Sequence, residues 1–218
     1  MRAEVTADGC SVRVYELLPD VDLPIEFAVL SSGQSVLDLG AGTGRFCRPL
    51  MRRGCRLTAV DNSVEMLASI AGTETVCADI EQLRLPERFD AVLLASHLVN
   101  TQEAPQRRSF LETAAYHLVP DGIAFIEWHP PTWFDRLSPG LVTTSQIGPV
   151  TVELEVHAIE KADWVDATVT YRHTGDEWLQ HFCAARLSQG DLIEELAAVG
   201  LQLVTASQDA SWQLARRN

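Results

Sequence analysis

Apolar residues fall in short, nearly unbroken blocks separated by stretches that repeat every three to four positions. Blocks at 35–39, 56–60, 75–78, 89–95 and 123–127 read as strands buried on both faces. The stretches between them read as helices. One covers 44–53 and ends near Gly54. A second starts at Asn62, with Glu65 in capping-box position, passes Met66, Leu67 and Ile70, and stops at Gly72. Pro105 opens a third, with Phe110, Leu111, Ala114, Ala115 and Leu118 on one face, and the turn Val119-Pro120-Asp121-Gly122 leads into the fifth strand. Strands alternating with helices predict a doubly wound, mostly parallel sheet covered on both sides.

The pattern changes after Trp133. Residues 134–149, with Pro139, Gly140, Gly148 and Pro149, read as a loop. Runs rich in β-formers follow at 150–159, 164–172 and 178–187, parted by Asp163 and by Thr174-Gly175-Asp176. They predict an antiparallel meander added to the parallel core. Ser188 and Asp191 open a last helix, with Leu192, Ile193, Leu196 and Val199 inward and Gly200 as C-cap. Strands at 201–205 and 211–215 bring the main sheet to seven. Before the first strand, 12–18 and 24–31 are short helical or irregular pieces. The chain divides into an N-terminal segment 1–34, a core 35–133, an insertion 134–187 and a C-terminal helix with strands, 188–218, all in one domain.

The chemistry concentrates at the first strand. Ser35-Val36-Leu37-Asp38-Leu39 runs into Gly40-Ala41-Gly42-Thr43-Gly44-Arg45, and the second strand ends at Asp61. Glycines let a backbone approach a ligand closely, and an acid ending the second strand can accept ribose hydroxyls. Dinucleotide sites favour G-x-G-x-x-G, which seats a pyrophosphate at a helix N-terminus. Here the spacing is G-x-G-x-G, with Arg45 at the position of the last glycine. Asp38, two residues before Gly40, would repel a pyrophosphate and suits a cationic ligand.

This segment resembles motif I of the class I S-adenosylmethionine-dependent methyltransferases, and the order of elements resembles their Rossmann-like core with an antiparallel insertion. The resemblance implies a cofactor site for S-adenosylmethionine, released as S-adenosylhomocysteine. It places Gly40, Ala41, Gly42 and Gly44 in the loop, Asp38 near the cofactor's amino group, and Asp61 with Asn62 at the ribose. Met66 falls near the adenine, Asp79 and Ile80 at the adenine amino group, and Ala95 with Ser96 beneath the cofactor. Many small-molecule members carry a Tyr-Asp pair before motif I; this chain has Tyr15-Glu16.

A sulfonium makes its methyl electrophilic, so the protein mainly positions the acceptor, with a base where the acceptor arrives protonated. Ligands of open α/β sheets bind at the C-terminal strand ends. The groups there are His97 and Asn100 after the fourth strand, and Glu127, Trp128, His129 and Trp133 after the fifth. His129, His97 and Glu127 are the catalytic candidates; the plain alternative is a hydrogen-bonded structural role. Trp128 and Trp133 fit a pocket wall or core packing equally. His157, His173 and His181 read as surface or sheet residues. No metal site is expected, since no His-x-x-x-His pattern occurs and sulfonium methyl transfer needs no metal.

Composition narrows the partners. A net charge of −13 over 218 residues, with basic residues at most in pairs, argues against nucleic acid. No window reaches the ~18 apolar residues of a membrane span, and Met1–Asp8 holds no apolar run like a leader. Five cysteines, an odd number without C-x-x-C spacing, suggest reduced thiols and a cytoplasmic setting. The strand-end sequences resemble bacterial small-molecule methyltransferases, some of which use such an insertion as a pocket wall or homodimer surface. The acceptor, and whether N, O or C is methylated, stay open. An NAD-dependent oxidoreductase on a similar sheet and a non-catalytic cofactor-binding protein are the alternatives.

Overall fold

The computed structural model describes residues 5–6, 9–160, 164–205 and 207–217. The seven-stranded sheet is built from β1 (Ser35–Leu39), β2 (Arg56–Asp61), β3 (Glu74–Cys77), β4 (Phe89–Leu94), β5 (Leu118–Glu127) and, after the insertion, β10 (Leu201–Leu203) and β11 (Trp212–Arg217). The insertion's strands are β6 (Val142–Ile147), β7 (Val150–Glu160), β8 (Trp164–His173) and β9 (Asp176–Ala185). The order across the main sheet is β10-β11-β5-β4-β1-β2-β3. Its pairs from β3 to β5 are parallel, and β11 runs antiparallel to both of its neighbours. The chain winds outward from β1 to β3, then crosses back to β4 on the other side of β1. That reversal leaves a crevice at the C-terminal ends of β1 and β4.

Period-two alternation gives the sheet two cores. Leu37, Leu39, Val92 and Leu94 face Phe110, Leu111 and Ala114 of α4 (Ala104–His117) and Leu192 and Leu196 of α6 (Gln189–Ala198). Val36, Leu57, Leu93 and Phe125 face the other way, onto Leu50 of α2 (Cys47–Arg52) and onto Phe27. Phe27 stacks on Phe125 at 4.5 Å and meets Trp212 edge-on at 5.0 Å. Burying a side chain of this size contributes about 1.5–3 kcal/mol, so these rings fix the segment Ile25–Val29 against the sheet.

Several local expectations change. The cap of α3 (Val64–Leu67) is Ser63, whose hydroxyl accepts Met66 N–H at 3.2 Å. Asn62 is not the cap, because its amide donates to Asp79 at 3.2 Å. The helix ends at Leu67, so Ile70 lies beyond it. The helix after the glycines begins at Cys47, not at Gly44. Residues 134–149 are not a plain loop: they follow α5 (Pro131–Phe134) with β6, the first strand of a separate sheet ordered β6-β7-β8-β9. The sequence of β6 has no buried face to signal it, since its side chains are exposed up to Ile147. The Asp163 break, and Met1–Glu4, Ala7 and Asp8, lie outside the described residues. At Ser188 the expected capping box forms, with Asp191 N–H donating to Ser188 Oγ and Ser188 N–H to Asp191 Oδ2.

The second sheet packs Val156, Val165, Ala167 and Ala184 against Phe134. Its β6–β7 turn reaches the N-terminal segment, where a Cβ on Gly148 would lie 2.8 Å from Pro19. Among the described residues, no helix is long and apolar enough to cross a membrane.

Candidate active site

The glycine loop leaves β1 and is tied to β2: the N–H groups of Gly40 and Ala41 both donate to Val60 C=O, at 2.9 and 2.8 Å. Gly40, Gly42 and Gly44 have φ of +75°, +55° and +79°, where a Cβ is strained. Their surroundings differ. An added Cβ would meet Leu98 at 3.0 Å from Gly40 and Ile70 at 2.9 Å from Gly44, but nothing within 4 Å from Gly42. Gly40 and Gly44 are packed, whereas Gly42 borders open space.

Asp61 at the end of β2 is bonded to that loop, and Asp38 lies in β1 just before it. Asp61 accepts Gly42 N–H at 2.8 Å through Oδ2 and Ser63 N–H at 2.9 Å through Oδ1. Asp38 is 1% exposed. Its Oδ2 accepts the Cys47 thiol at 3.2 Å, and its Oδ1 is buried with no hydrogen-bond partner. Burial raises the Asp38 pKa to about 7; the Cys47 hydrogen bond opposes this and the Asp61 charge adds to it. Met66 and Ile80 are buried close by, and Asn62 and Asp79 are joined and exposed.

The N-terminal segment is seated on the same loop. Thr43 Oγ1 donates to Tyr15 C=O at 3.2 Å and Arg45 Nε to Pro19 C=O at 2.8 Å. Arg48 and Arg52 both pair with Asp20, at 2.5 and 2.8 Å. Arg45, which replaces a dinucleotide-type glycine, is thereby a brace for this segment.

Beyond β4, Ser96 and His97 have φ of +57° and +54°, strained for residues with a Cβ. Ser96 N–H donates to Glu127 Oε2 at 2.7 Å, which offsets part of that strain. The turn presses the His97 ring onto His129 at 3.6 Å, and His129 stacks in turn on Trp133 of α5 at 3.8 Å. Asn100, 2% exposed, holds the stack from behind: its Oδ1 accepts His129 N–H at 2.8 Å and its Nδ2 donates to Ala185 C=O at 2.9 Å. One amide thus ties the ends of β4, β5 and β9.

Burial lowers the pKa of both histidines. His129 falls to about 2, with the neighbouring His97 adding to the effect, while for His97 the Glu127 charge works the other way. Both rings are neutral near pH 7. A base so far below ambient pH takes protons poorly. His97, whose Nε2 is 3.9 Å from Glu127 Oε1, is therefore the better proton acceptor. His129 is suited to shaping the wall.

The sequence-derived residues thus fall into two neighbouring groups: Asp38, Gly40, Ala41, Gly42, Gly44, Asp61, Asn62, Met66, Asp79 and Ile80 around the loop, and Ala95, Ser96, His97, Glu127 and His129 at the β4 and β5 ends. Trp128 belongs to neither. It is fully buried, with Nε1 donating to Ala210 C=O at 2.7 Å, so it is core and no pocket wall. His157, His173 and His181 lie on the second sheet, bonded to Thr168 Oγ1, Pro149 C=O and Ala167 C=O. No cluster of metal-ligating side chains occurs among the described residues. A cavity of about 300 Å³ lined by Ser35, Arg56, Glu74 and Phe89 sits at the opposite strand ends and shares none of these residues. Cys47 and Ser63 escaped sequence reasoning. Ser63 before α3 was a readable cap signal, but Cys47 is brought to Asp38 only by the strand-turn-helix geometry.

An orphan buried carboxylate oxygen suits an ammonium group, and the open side of Gly42 suits a close-lying ligand chain. The residues therefore fit S-adenosylmethionine. Residues 36–122 match the methyltransferase domain family. The cypemycin N-terminal methyltransferase of Streptomyces sp is 33% identical over 111 residues, 48% of this chain and 45% of that protein. The chain spans about half the length of the curated relatives it matches. An S-adenosylmethionine-dependent methyltransferase from Clostridium acetobutylicum superposes with a TM-score of 0.71 at 15% identity, covering 89% of this chain and 87% of that one. An amino pentose methyltransferase from Micromonospora echinaspora, solved with S-adenosylmethionine bound, gives 0.67 at 20% identity, covering 85% and 84%. The glycine loop thus lies inside the segment that matches the methyltransferase domain family, and the chain shares its fold with S-adenosylmethionine-dependent methyltransferases of known structure.

Proposed function

We propose that this chain transfers a methyl group from S-adenosylmethionine to a small-molecule N, O or C acceptor. The observation that carries the reading is the buried, unpartnered Oδ1 of Asp38 on the strand that leads into the glycine loop, whose Gly42 borders open space. Bound in the crevice, the cofactor's sulfonium supplies an electrophilic methyl. Gly40, Ala41, Gly42 and Gly44 give it backbone approach, Asp61 and Asn62 meet its ribose, and Met66, Asp79 and Ile80 border its adenine. Ala95 and Ser96 form the floor, and the backbone C=O of Tyr15 is tied to Thr43 of the loop.

The acceptor is held across the β4 and β5 ends by His97, His129 and Trp133. Holding acceptor and donor in line is worth about 7–11 kcal/mol. Where the acceptor carries a proton, His97 takes it on a ring nitrogen and Glu127 stabilises the resulting imidazolium. Trp133 and His129 exclude water and set the acceptor's plane.

We further infer a single domain over 1–218, with 134–187 as its insertion. The protein acts on small molecules in the cytoplasm of a bacterium and has no nucleic-acid or membrane partner. The five free thiols and the net charge of −13 support this setting. The insertion, whose exposed Val142 and Leu179 offer apolar contact, forms a homodimer surface.

Calorimetry with S-adenosylhomocysteine and with NADH tests the ligand class. Label transfer from methyl-labelled cofactor into a metabolite extract tests turnover. Tight NADH binding without S-adenosylhomocysteine binding would favour the oxidoreductase, and cofactor binding with no labelled product would favour a non-catalytic binder.

A further inference from the structure

Cys47 and Asp38 form a pair that neither the fold nor the transfer chemistry demands. Cys47 opens α2 with no side-chain exposure, and Asp38 lies at the core of β1. A buried carboxyl normally has both oxygens satisfied, because each orphan costs about 1–3 kcal/mol. Here the thiol takes Oδ2 and leaves Oδ1 bare. Burial, with the Asp38 charge beside it, pushes the thiol pKa up, so Cys47 stays a protonated donor at every working pH. A thiol is also a weak donor. It can orient the carboxyl without neutralising it.

We propose that Cys47 is a positioning residue for the cofactor: its thiol turns Asp38 so that the unpaired oxygen is presented to the ammonium group of the cofactor's amino-acid arm. The inference rests on the methyltransferase reading. It concerns one part of the ligand only, so the ribose and adenine should be indifferent to Cys47.

The test compares binding of S-adenosylhomocysteine and of methylthioadenosine, which lacks the ammonium group, by calorimetry on the wild type, Cys47→Ala and Cys47→Ser. The expected result is a loss of about 10-fold or more for S-adenosylhomocysteine in Cys47→Ala, the scale of one hydrogen bond to a charged group. Cys47→Ser, which keeps a donor, should stay within about threefold of wild type, and methylthioadenosine should bind all three alike. Equal losses for both ligands, or no loss in Cys47→Ala, would overturn the role of Cys47 while leaving the methyltransferase reading intact. A wild type that binds neither ligand would overturn both. If Cys47→Ala does not fold, Cys47→Val and Cys47→Ser decide it: weakening of S-adenosylhomocysteine alone in the valine variant supports the role, and unselective weakening or unchanged binding rejects it.

Discussion

Asp61 Oδ2 accepts the N–H of Gly42 at 2.8 Å, so the acid at the end of β2 already grips the loop it serves. A carboxylate oxygen has a second lone pair, and the proposed contact with the ribose hydroxyls uses that side. Asp61→Ala should therefore do two things. It should weaken S-adenosylhomocysteine by about 1.5–3 kcal/mol, or roughly 10- to 160-fold, and lower stability by about 1 kcal/mol through the freed Gly42 N–H. Calorimetry and denaturant titration measure the two separately. Unchanged affinity in a folded variant would remove Asp61 from the site.

Gly42 and Gly44 share a left-handed backbone but should fail differently. Gly42→Ala places its methyl in open space and Gly44→Ala drives one against Ile70. Both should lose about 1–2 kcal/mol of stability to backbone strain, with a further packing cost at Gly44. Gly42→Ala should weaken cofactor binding more per unit of stability lost, and Gly42→Val should abolish it. Melting curves paired with binding constants check the contrast; equal effects would move the ligand away from Gly42.

The stacked histidines should separate in kinetics. His97→Ala removes the better base and should lower the single-turnover rate about 10²–10⁴-fold for a protonated acceptor. His129→Ala should cost less in rate and more in acceptor affinity, as a wall residue would. Cofactor affinity should hold in both. Full rates in both variants would return the pair to structural duty.

Burial of Asp38 predicts a specific pH signature. Its pKa rises from 3.8 to about 7 on folding, so the folded protein holds a proton that the unfolded chain releases. Between about pH 4 and pH 7 its contribution to stability falls as pH rises, by at most about 1.4 kcal/mol per unit. Asp38→Asn cannot titrate. The stability of this variant relative to wild type should therefore climb across that window and then level off. The histidines titrate alike in both proteins and cancel in the difference. Parallel denaturation curves at pH 5 and pH 8 would count against a buried charge. In wild type, S-adenosylhomocysteine should also bind more tightly toward pH 8, because its ammonium prefers the carboxylate.

The parallel core was legible because its strands are buried on both faces and its glycines and acids sit at adjacent strand ends. Leu37, Val92 and Ile126 announce themselves by apolar runs, and Ser188 with Asp191 by local capping chemistry. The strand β6 was not legible, since Thr143, Thr144 and Ser145 show no buried face. Trp128 and Trp133 are five residues apart and of one type; only the fold decides that the first is core and the second is stacked on His129. Asn100 could be placed at a strand end, but its three-way clamp needs β9, far away in sequence.

The insertion also bears on how the chain folds. Glu127 pairs with Trp212, and everything in the second sheet lies between them. Closing so long a loop is slow when its residues are disordered. The insertion instead consists of neighbouring hairpins, β6–β7, β7–β8 and β8–β9, whose contacts are local. Once zipped, they replace a long floppy connection with a short rigid one that delivers α6 and β11 to the edge of β5. Pulsed hydrogen exchange should then show amide protection in β7 and β8 before β11, so the second sheet also serves as a splint for the assembly of the core.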